Sequence, residues 1–508
     1  MLLSRDVGLS NGGTVSSRAA GSPDGLVSIN GAAIVESSTE FIPVHPLGIK
    51  PLGNQYFASG PLARQALGHV GRLPDEMILQ LLEYLQPESL ESLGSTCRFL
   101  HAFCRLDDLW KPLFLESVVG PALPPWRGTW RNTLLQLPED VSTRIDCSNV
   151  FSDVLHRPFA CSNIVLKNYV SGIPRGNQIS RLSNLSYGDF AERWSDQPFI
   201  LTDYVQSWPV YEDWTIEKLN KSYSNVDFRA EAVDWPFSAY HSYMCNSRDE
   251  SPLYLFDRKF AEKMGIKIGH EEDCAYWPPE CFGEDVFHLL GQERPAHRWL
   301  IIGPERSGST FHKDPNGTGA WNAVIQGSKY WLMFPPSVPQ PPGVFVSADS
   351  SEVTSPLSIA EYLLTFHAEA RKEAGCLEGI CGAGELLYVP SGWWHLVVNL
   401  EAGIALTQNF VTNSKKHLAH VLSFLKDKPD QVTGFSRDVE SPYDLFVQRL
   451  REKQPQLLEQ AFEEMERKSA GKKRRWEEAV GSKEETGNGS GGFSFGFGGD
   501  DLEDDEIP

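Results

Sequence analysis

No two of the nine cysteines form a C-x-x-C pair, and their number is odd. This argues against a disulfide framework and a zinc finger, and it is typical of a reducing compartment. The sequence also has no apolar run long enough to predict a membrane span. Its first residues, MLLSRDVGLSNGG, lack the apolar stretch of a secretory signal peptide. We therefore expect a protein of the nucleus, the cytoplasm or both that is not secreted.

Positive charge is scarce as well. The 46 lysines and arginines face 67 aspartates and glutamates, which gives a formal net charge of −21. Such a molecule repels nucleic acids and anionic membranes, so neither is an expected partner. The 508 residues are 41% hydrophobic and 11% aromatic, a globular composition with length for two or three domains.

Composition and periodicity divide the chain into six segments. We expect a disordered N-terminal segment, a helical module, a linker, a strand-rich domain, C-terminal helices and a disordered charged tail. Their predicted bounds are, in that order, 1–65, 66–118, 119–150, 151–413, 414–465 and 466–508.

The helical module begins with an apolar stripe. Ile78, Leu81, Leu82 and Leu85 follow the spacing i, i+3, i+4, i+7 of one helix face, and a similar stripe follows between residues 90 and 100. The strand-rich domain contains short apolar segments separated by glycine and proline, which predict an antiparallel all-β core. These segments are WLIIGP, AWNAVIQG, KYWLMFPP, ELLYVPSG, WWHLVVNL and GIALTQNF.

Three side chains in this core have the chemistry of a metal site. In a strand, His312 and Asp314 point to the same side while Lys313 points away, and His395 follows at the start of a later strand. Two imidazoles and one carboxylate on one face of an octahedron suit non-haem Fe(II), because three positions stay open. H-x-D tripeptides are common, and a histidine beside two tryptophans can be a core residue. The surroundings of the three residues together favour the metal site.

Lys329 predicts an anion beside this site. If Gly327 and Ser328 form a two-residue turn, Asn322 and Lys329 share the inner face of one hairpin. An inward lysine in an aromatic-rich barrel is costly unless it meets an anion, and a dicarboxylate co-substrate supplies one. The alternative is a solvated hairpin lysine. A second hairpin, turning at 401–403, would place Thr407 in the same interior, able to donate a hydroxyl hydrogen bond; alone, Thr407 is an ordinary strand residue.

The run GPERSGSTFHKDPNGTGAWNAVIQGSKYWLMFPP and the later GELLYVPSGWWHLVVNLEAGIALTQNF resemble the JmjC oxygenases. The likeness covers roughly residues 250 to 413 and is greatest to the lysyl-hydroxylase branch once described as a phosphatidylserine receptor. It implies a mostly β, cupin-like double-stranded β-helix that uses Fe(II), with 2-oxoglutarate and O2 as co-substrates. By this resemblance the iron ligands are His312, Asp314 and His395, and the 2-oxoglutarate contacts are Lys329, Thr407, Asn322, Tyr254 and Ser309.

The helical module resembles an F-box, whose helices dock on the Skp-type adaptor of cullin–RING ubiquitin ligases. The resemblance implies an N-terminal all-α module, with charge substitutions at Ile78 and Leu82 as a test of adaptor binding. The alternative is a helical cap on the barrel.

Three functions remain open from the sequence. The first is hydroxylation of protein side chains, lysine first, possibly linked to a ubiquitin ligase. The others are demethylation of methyl-arginine or methyl-lysine, in histones for example, and a ubiquitin-ligase receptor whose barrel mainly recognises a target. The expected partners are a protein or peptide substrate and an adaptor. The C-terminal helices form either a homodimer contact or a packing layer on their own barrel. KKRR at 472–475 is a nuclear import signal or solvated charge, and GGFSFGFGG is a linker or a docking motif.

Overall fold

The computed structural model describes residues 42–117, 123–139, 145–270, 272–347 and 352–481, with the backbone alone for 471–481. Residues 1–41, the GGFSFGFGG segment and the acidic end DDLEDDEIP lie outside the described residues. The predictions made for those stretches therefore stay predictions.

The strands are short, and most belong to the second half of the chain. Within the described ranges they are β1 Ser180–Leu182, β2 Phe199–Leu201, β3 Asp227–Ala230, β4 Val233–Pro236, β5 Leu255–Asp257, β6 Lys267–Ile268, β7 Cys274–Tyr276, β8 Arg298–Gly303, β9 Gly308–His312, β10 Gly319–Gln326, β11 Ser328–Phe334, β12 Phe345–Val346, β13 Val353–Thr354, β14 Leu377–Gly382, β15 Leu386–Val389, β16 Trp394–Asn399 and β17 Gly403–Phe410.

Helices precede and follow the strand-rich region. They are α1 Asp75–Glu83, α2 Pro87–Gly94, α3 Arg98–Phe103, α4 Trp110–Ser117, α5 Trp130–Leu134, α6 Asp153–Ser162, α7 Leu166–Val170, α8 Tyr187–Asp189, α9 Pro209–Asp213, α10 Ile216–Tyr223, α11 Phe237–Asn246, α12 Phe260–Met264, α13 Ile359–Thr365, α14 His367–Ala370, α15 Lys415–Asp427, α16 Pro442–Lys453 and α17 Pro455–Gly481.

Two facing sheets form the core. The larger sheet has the order β1-β2-β15-β10-β17-β8-β5-β3-β4, and the smaller has the order β14-β11-β16-β9. Apolar side chains of both sheets, among them Val324, Trp331, Leu387 and Val397, form one buried cluster between them. From β14 onward the chain passes β14 (small), β15 (large), β16 (small) and β17 (large), so it winds between the sheets. This is the predicted double-stranded β-helix, and the fold class is confirmed.

This winding makes both predicted hairpins wrong as pairings. Strand β10 pairs with β15 and β17, whereas β11 pairs with β14 and β16, so the two predicted partners lie in opposite sheets. The second hairpin fails in the same way, because β16 and β17 are also in different sheets. Gly327 joins β10 to β11 with φ +81°, and a Cβ there would lie 2.8 Å from the carbonyl oxygen of Ala402.

The helical module packs on the β3–β4 end of the larger sheet through aromatic rings. Phe114 of α4 and Trp130 of α5 lie 6.2 Å and 6.0 Å, centroid to centroid, from Trp235 of β4. The indole Nε1 of Trp130 donates to the carboxylate of Asp249 at 2.9 Å. Since α5 is capped by the hydroxyl of Thr129 and buried here, the predicted linker 119–150 is in part a structural element.

Two of the predicted disordered segments are partly ordered. At the N-terminal side, Lys50 forms a parallel bridge with Phe151, and Ile49 is buried. At the other end α17 continues to Gly481, past the predicted boundary at 466. Its sequence is rich in Glu, Lys, Ala and Gln, which favour helix, and Glu464 pairs with Arg467 at 2.6 Å. The low hydrophobicity of this segment suggested disorder. Its helix propensity and the burial of the preceding turns of α17 favour a helix instead.

The C-terminal helices pack against their own barrel. Apolar residues of α15, α16 and α17 share one buried cluster with Val286, Phe287, Leu290 and Val411. This favours the packing alternative for these helices, while the homodimer stays a prediction. The KKRR run lies within α17, where the structure describes its backbone but not its side chains. In the part of the chain that the structure describes, no helix has both the length and the apolar composition needed to cross a bilayer.

Candidate iron and 2-oxoglutarate site

A bulge in β9 orients the first predicted ligand. His312 lies opposite His395 of β16, but Val397, two residues on, lies opposite Ser309, three residues back. Facing residues of antiparallel strands point to the same side, so the extra residue turns both Ser309 and His312 into the barrel. Gly308 allows this close approach, since a Cβ there would lie 2.0 Å from the carbonyl oxygen of Val397.

The three predicted iron ligands come together. One ligand atom from each of His312, Asp314 and His395 lies within 4.8 Å of the other two, and within the described residues this is the group that could hold a metal ion. The two imidazole centroids are 4.1 Å apart. Residues that lie 83 positions apart in the sequence (395 − 312) thus converge at one end of the barrel.

Hydrogen bonds fix which imidazole nitrogen faces this centre. Nδ1 of His312 lies 2.8 Å from the carbonyl oxygen of Thr310, and Nδ1 of His395 lies 3.1 Å from that of Trp393. A carbonyl oxygen only accepts, so each Nδ1 is the donor, which leaves Nε2 of each ring as the nitrogen available to a metal. Burial, and then the nearby His312, lower the pKa of His395 well below its usual value. The ring is therefore neutral, as a metal ligand must be.

Asp314 shows the need for a cation most directly. Its Oδ1 accepts a hydrogen bond of 3.0 Å from Nδ2 of Asn409, which also donates to the hydroxyl of Thr318 at 2.9 Å. Its Oδ2 is buried and has no hydrogen-bond partner among the described residues. Burial raises the pKa of Asp314, against the lowering effects of His312 and Asn409. Such a carboxylate oxygen is costly unless an ion or a proton meets it, so the donor set fits the expected metal.

Lys329 is buried in the barrel interior, where the co-substrate contact was predicted. Its side chain is 2% exposed, and its Nζ donates to the hydroxyl of Tyr254 at 2.7 Å and to Oδ1 of Asn399 at 2.6 Å. Burial lowers the pKa of Lys329 to about 7. The solvated-hairpin alternative is therefore wrong. A buried amine with neutral partners is a prepared place for an anion such as the distal carboxylate of 2-oxoglutarate.

Asn322 and Thr407 form the opposite wall of this interior. They face each other across the β10–β17 pair. The amide oxygen Oδ1 of Asn322 is buried without a partner among the described residues. The hydroxyl of Thr407 donates to the carbonyl oxygen of Trp321 at 2.8 Å. The predicted donor of Thr407 is thus already engaged, so this hydroxyl meets a ligand with its lone pairs or must first release Trp321.

Two residues of the site were missed from the sequence. Asn409 holds Asp314, and Asn399 holds Lys329 while its Nδ2 donates to the hydroxyl of Ser307 at 2.9 Å. Each asparagine shares a strand face with a residue that was singled out, His395 for Asn399 and Thr407 for Asn409. The even spacing of each pair, four residues and two residues, was the signal available in the sequence, because alternate residues of a strand share a face.

Two cavities reach the metal centre. A cleft of about 1540 Å³ between the barrel and the C-terminal helices is lined by His312 and Asp314. A second pocket of about 380 Å³ is also lined by His312, together with Ser309 and the turn before it. The centre is therefore open to molecules larger than water.

Family models match both parts of the chain. Residues 193–416 match the cupin-like domain, and residues 70–116 match an F-box-like domain. The first match contains the three metal-site residues, and the second contains α1 to α3 and most of α4.

Relatives with similarity over long stretches carry oxygenase names. The arginine-specific demethylase JMJ22 of Arabidopsis thaliana is 38% identical over 447 residues, 85% of this chain and 86% of that protein. The bifunctional arginine demethylase and lysyl-hydroxylase psr-1 of Caenorhabditis elegans is 36% identical over 52% of this chain and 64% of that protein. The 2-oxoglutarate and iron-dependent oxygenase JMJD4 of Danio rerio is 31% identical over 61% and 70%.

Proposed function

Because the chain belongs to the JmjC family of iron- and 2-oxoglutarate-dependent oxygenases, we propose that it oxidises side chains of proteins, with lysine hydroxylation as its main reaction. The observation that carries this proposal is the grouping of His312, Asp314 and His395 on the wall of an open cleft, in the same barrel as the buried Lys329. A cleft of about 1540 Å³ has room for a side chain that remains attached to a polypeptide.

The residues of the chain divide the work of holding the reactants. His312, Asp314 and His395 would hold Fe(II), and Asn409 orients the carboxylate among them. Lys329 would meet the distal carboxylate of 2-oxoglutarate. When bound, iron and 2-oxoglutarate supply the oxidation of a substrate C–H bond by O2, with release of succinate and CO2. The apolar cluster between the two sheets keeps water away from the reacting centre.

Incubation of the purified protein with Fe(II), 2-oxoglutarate and lysine-containing peptides tests the proposal. We expect the peptide to gain one oxygen atom and succinate to form in step with it. His312→Ala should form neither product. Succinate formation coupled to no peptide or protein modification would contradict the proposed substrate class.

Demethylation of methyl-arginine is the second candidate, since JMJ22 and psr-1 are both named for arginine demethylation. The same site serves both reactions, because hydroxylation of an N-methyl carbon gives a product that loses formaldehyde. A methyl-arginine peptide that loses one methyl group faster than a lysine peptide gains oxygen would reverse the order of the two candidates.

The F-box-like region supports a further role as a docking module for a Skp-type adaptor. Helix α1 has apolar residues on two sides. Ile78 and Leu82 are 2% and 3% exposed, so they belong to the core of the module. On the outer side, Leu81 and the residue that ends the helix, Tyr84, are 55% and 85% exposed. Charge at Ile78 and Leu82, the test suggested by the sequence, would unfold the module and leave adaptor binding undecided.

The sharper test replaces Leu81 and Tyr84 with glutamate. We expect loss of co-purification with a Skp-type adaptor at an unchanged melting temperature, because both side chains lie at the surface. Leu357→Glu is the matched control, since Leu357 is 78% exposed and belongs to the barrel region. Adaptor binding that survives the double substitution would show that Leu81 and Tyr84 are not the docking surface, and a wild type that binds no adaptor would leave the module as a helical cap on the barrel. Adaptor binding without succinate formation under any condition would instead favour a receptor that uses its barrel for recognition.

A further inference from the structure

The smaller of the two cavities at His312 has an acidic residue on its wall that the site so far does not use. This pocket of about 380 Å³ is lined by the turn Arg306–Thr310 and His312 on one side. On the other side it is lined by Glu231 with Ser251 and Pro252. A side chain that enters this pocket therefore meets an iron ligand and a carboxylate in one space.

The backbone of Glu231 has a positive φ, which is uncommon for a residue other than glycine. Glu231 is the first residue of the tight turn between β3 and β4, and its φ is +50°. Glycine is the residue usually found where a two-residue hairpin turn needs positive φ, and other residues adopt it at a cost. A non-glycine residue held in this conformation beside a reactive centre is a sign of function.

The carboxylate of Glu231 is oriented but not neutralised. Its Oε1 accepts a hydrogen bond of 3.2 Å from the backbone N–H of Tyr254, whose hydroxyl is bonded to Lys329. In the part of the chain that the structure describes, it forms no ion pair, and Glu231 is an exposed residue of the pocket wall. It is thus tied to the co-substrate pocket through Tyr254 and open to an incoming cation.

Most of the neighbouring charges are held by hydrogen bonds to neutral groups, and Arg306, which lines the same pocket, has no ion pair among the described residues. Arg306 donates to the carbonyl oxygen of Asp249 at 2.7 Å, and the Asp249 carboxylate accepts from the hydroxyl of Tyr243 at 2.8 Å as well as from Trp130. Glu250 pairs with Arg157. Burial raises the pKa of Glu231, against the lowering effects of Lys111 and of the backbone N–H of Tyr254. Among the described residues, no ion pair of Glu231 competes with a substrate cation, which would share the pocket with Arg306.

We propose that Glu231 is the specificity-determining carboxylate of the pocket, pairing with the cationic end of a basic substrate side chain while His312 and its partners face the carbon to be oxidised. The inference rests on the proposed oxidation of protein side chains and adds to it the reason for choosing basic ones. A neutral side chain of similar length would lack this partner and would be bound less well.

Glu231→Gln tests the proposal with little structural change, because the amide oxygen can still accept from Tyr254. Under nitrogen, with Fe(II) and 2-oxoglutarate bound, calorimetry should show about 30-fold weaker binding of a lysine peptide, or a larger loss. The same peptide with acetyl-lysine should bind the wild type and the variant equally. Glu305→Gln is the matched control, since it removes a charge from the neighbouring exposed turn.

The outcomes separate the two claims. Unchanged lysine-peptide binding by Glu231→Gln would overturn the role of Glu231, and so would an equal loss in Glu305→Gln. A loss of 2-oxoglutarate affinity as large as the loss for the peptide would make Glu231 a residue that positions Tyr254. A wild type that binds the lysine peptide through Glu231 but never oxidises it would leave this inference standing and defeat the proposed reaction.

Discussion

Asp314→Asn is expected to lower 2-oxoglutarate turnover by more than about 100-fold, since even residues that only orient metal ligands cost 10- to 100-fold. The Oδ2 atom of Asp314 has no hydrogen-bond partner among the described residues, so its protein contacts do not explain its burial. A metal ion does. Turnover is measured as succinate formed, with Asp430→Asn as control, because Asp430 lines the same cleft outside the triad.

Stability of the same variant gives an independent readout. Without metal, Asp314→Asn should be at least as stable as the wild type, because it removes a buried carboxylate that lacks a counter-ion. A divalent metal at 100 times its Kd should stabilise the wild type by about 2.7 kcal/mol and leave the variant's melting temperature unchanged. A variant that still binds metal as the wild type does would show that Asp314 is not a ligand.

Lys329→Met is expected to weaken 2-oxoglutarate binding by about 30-fold or more, the cost of removing one partner of a buried charge pair.

The affinity of the wild type for 2-oxoglutarate should also depend on pH. The pKa of Lys329 is lowered to about 7 by burial, so above pH 7 the free protein holds a neutral amine and must take up a proton to pair with the co-substrate. The Kd for 2-oxoglutarate should then rise about tenfold per pH unit above 7.

The ligand-free protein should show the opposite trend in stability. The unfolded chain keeps the ordinary lysine pKa of 10.5, so between pH 7 and 10.5 it binds more protons than the folded protein. The contribution of Lys329 to the free energy of unfolding therefore rises with pH across this window. Lys329→Met should lack this rise, and Lys426→Met, a change in the outer cleft, should retain it. A pH-independent Kd in the wild type would contradict the assignment of Lys329.

The face of each strand could be predicted from the sequence, but the pairing could not. Alternation along a strand is a local property, so placing Asn322, Lys329 and Thr407 in one interior was correct. Which strands pair depends on how the chain winds between the sheets, and two-residue turn rules favoured hairpins that do not form. The bulge that brings Ser309 in line with His312 likewise has no signature in composition or periodicity.

The helical module shows a second limit. Apolar spacing placed Ile78, Leu81, Leu82 and Leu85 on one stripe, yet Leu81 is exposed while Ile78 and Leu82 are buried. A helix with apolar residues on two sides gives one broad signal, and the tertiary contacts decide which side faces the core. Tertiary contacts also decide the position of Glu231. It shares a pocket with His312 although its turn is far from the metal ligands in the sequence.

Crystals grown anaerobically with Fe(II) and 2-oxoglutarate, with diffraction recorded across the iron absorption edge, would show directly whether these residues hold the metal and the co-substrate. We expect one anomalous peak bounded by Nε2 of His312, Nε2 of His395 and a carboxylate oxygen of Asp314, with the distal carboxylate of 2-oxoglutarate against Nζ of Lys329. An iron bound elsewhere, or a co-substrate lying away from Lys329, would contradict it.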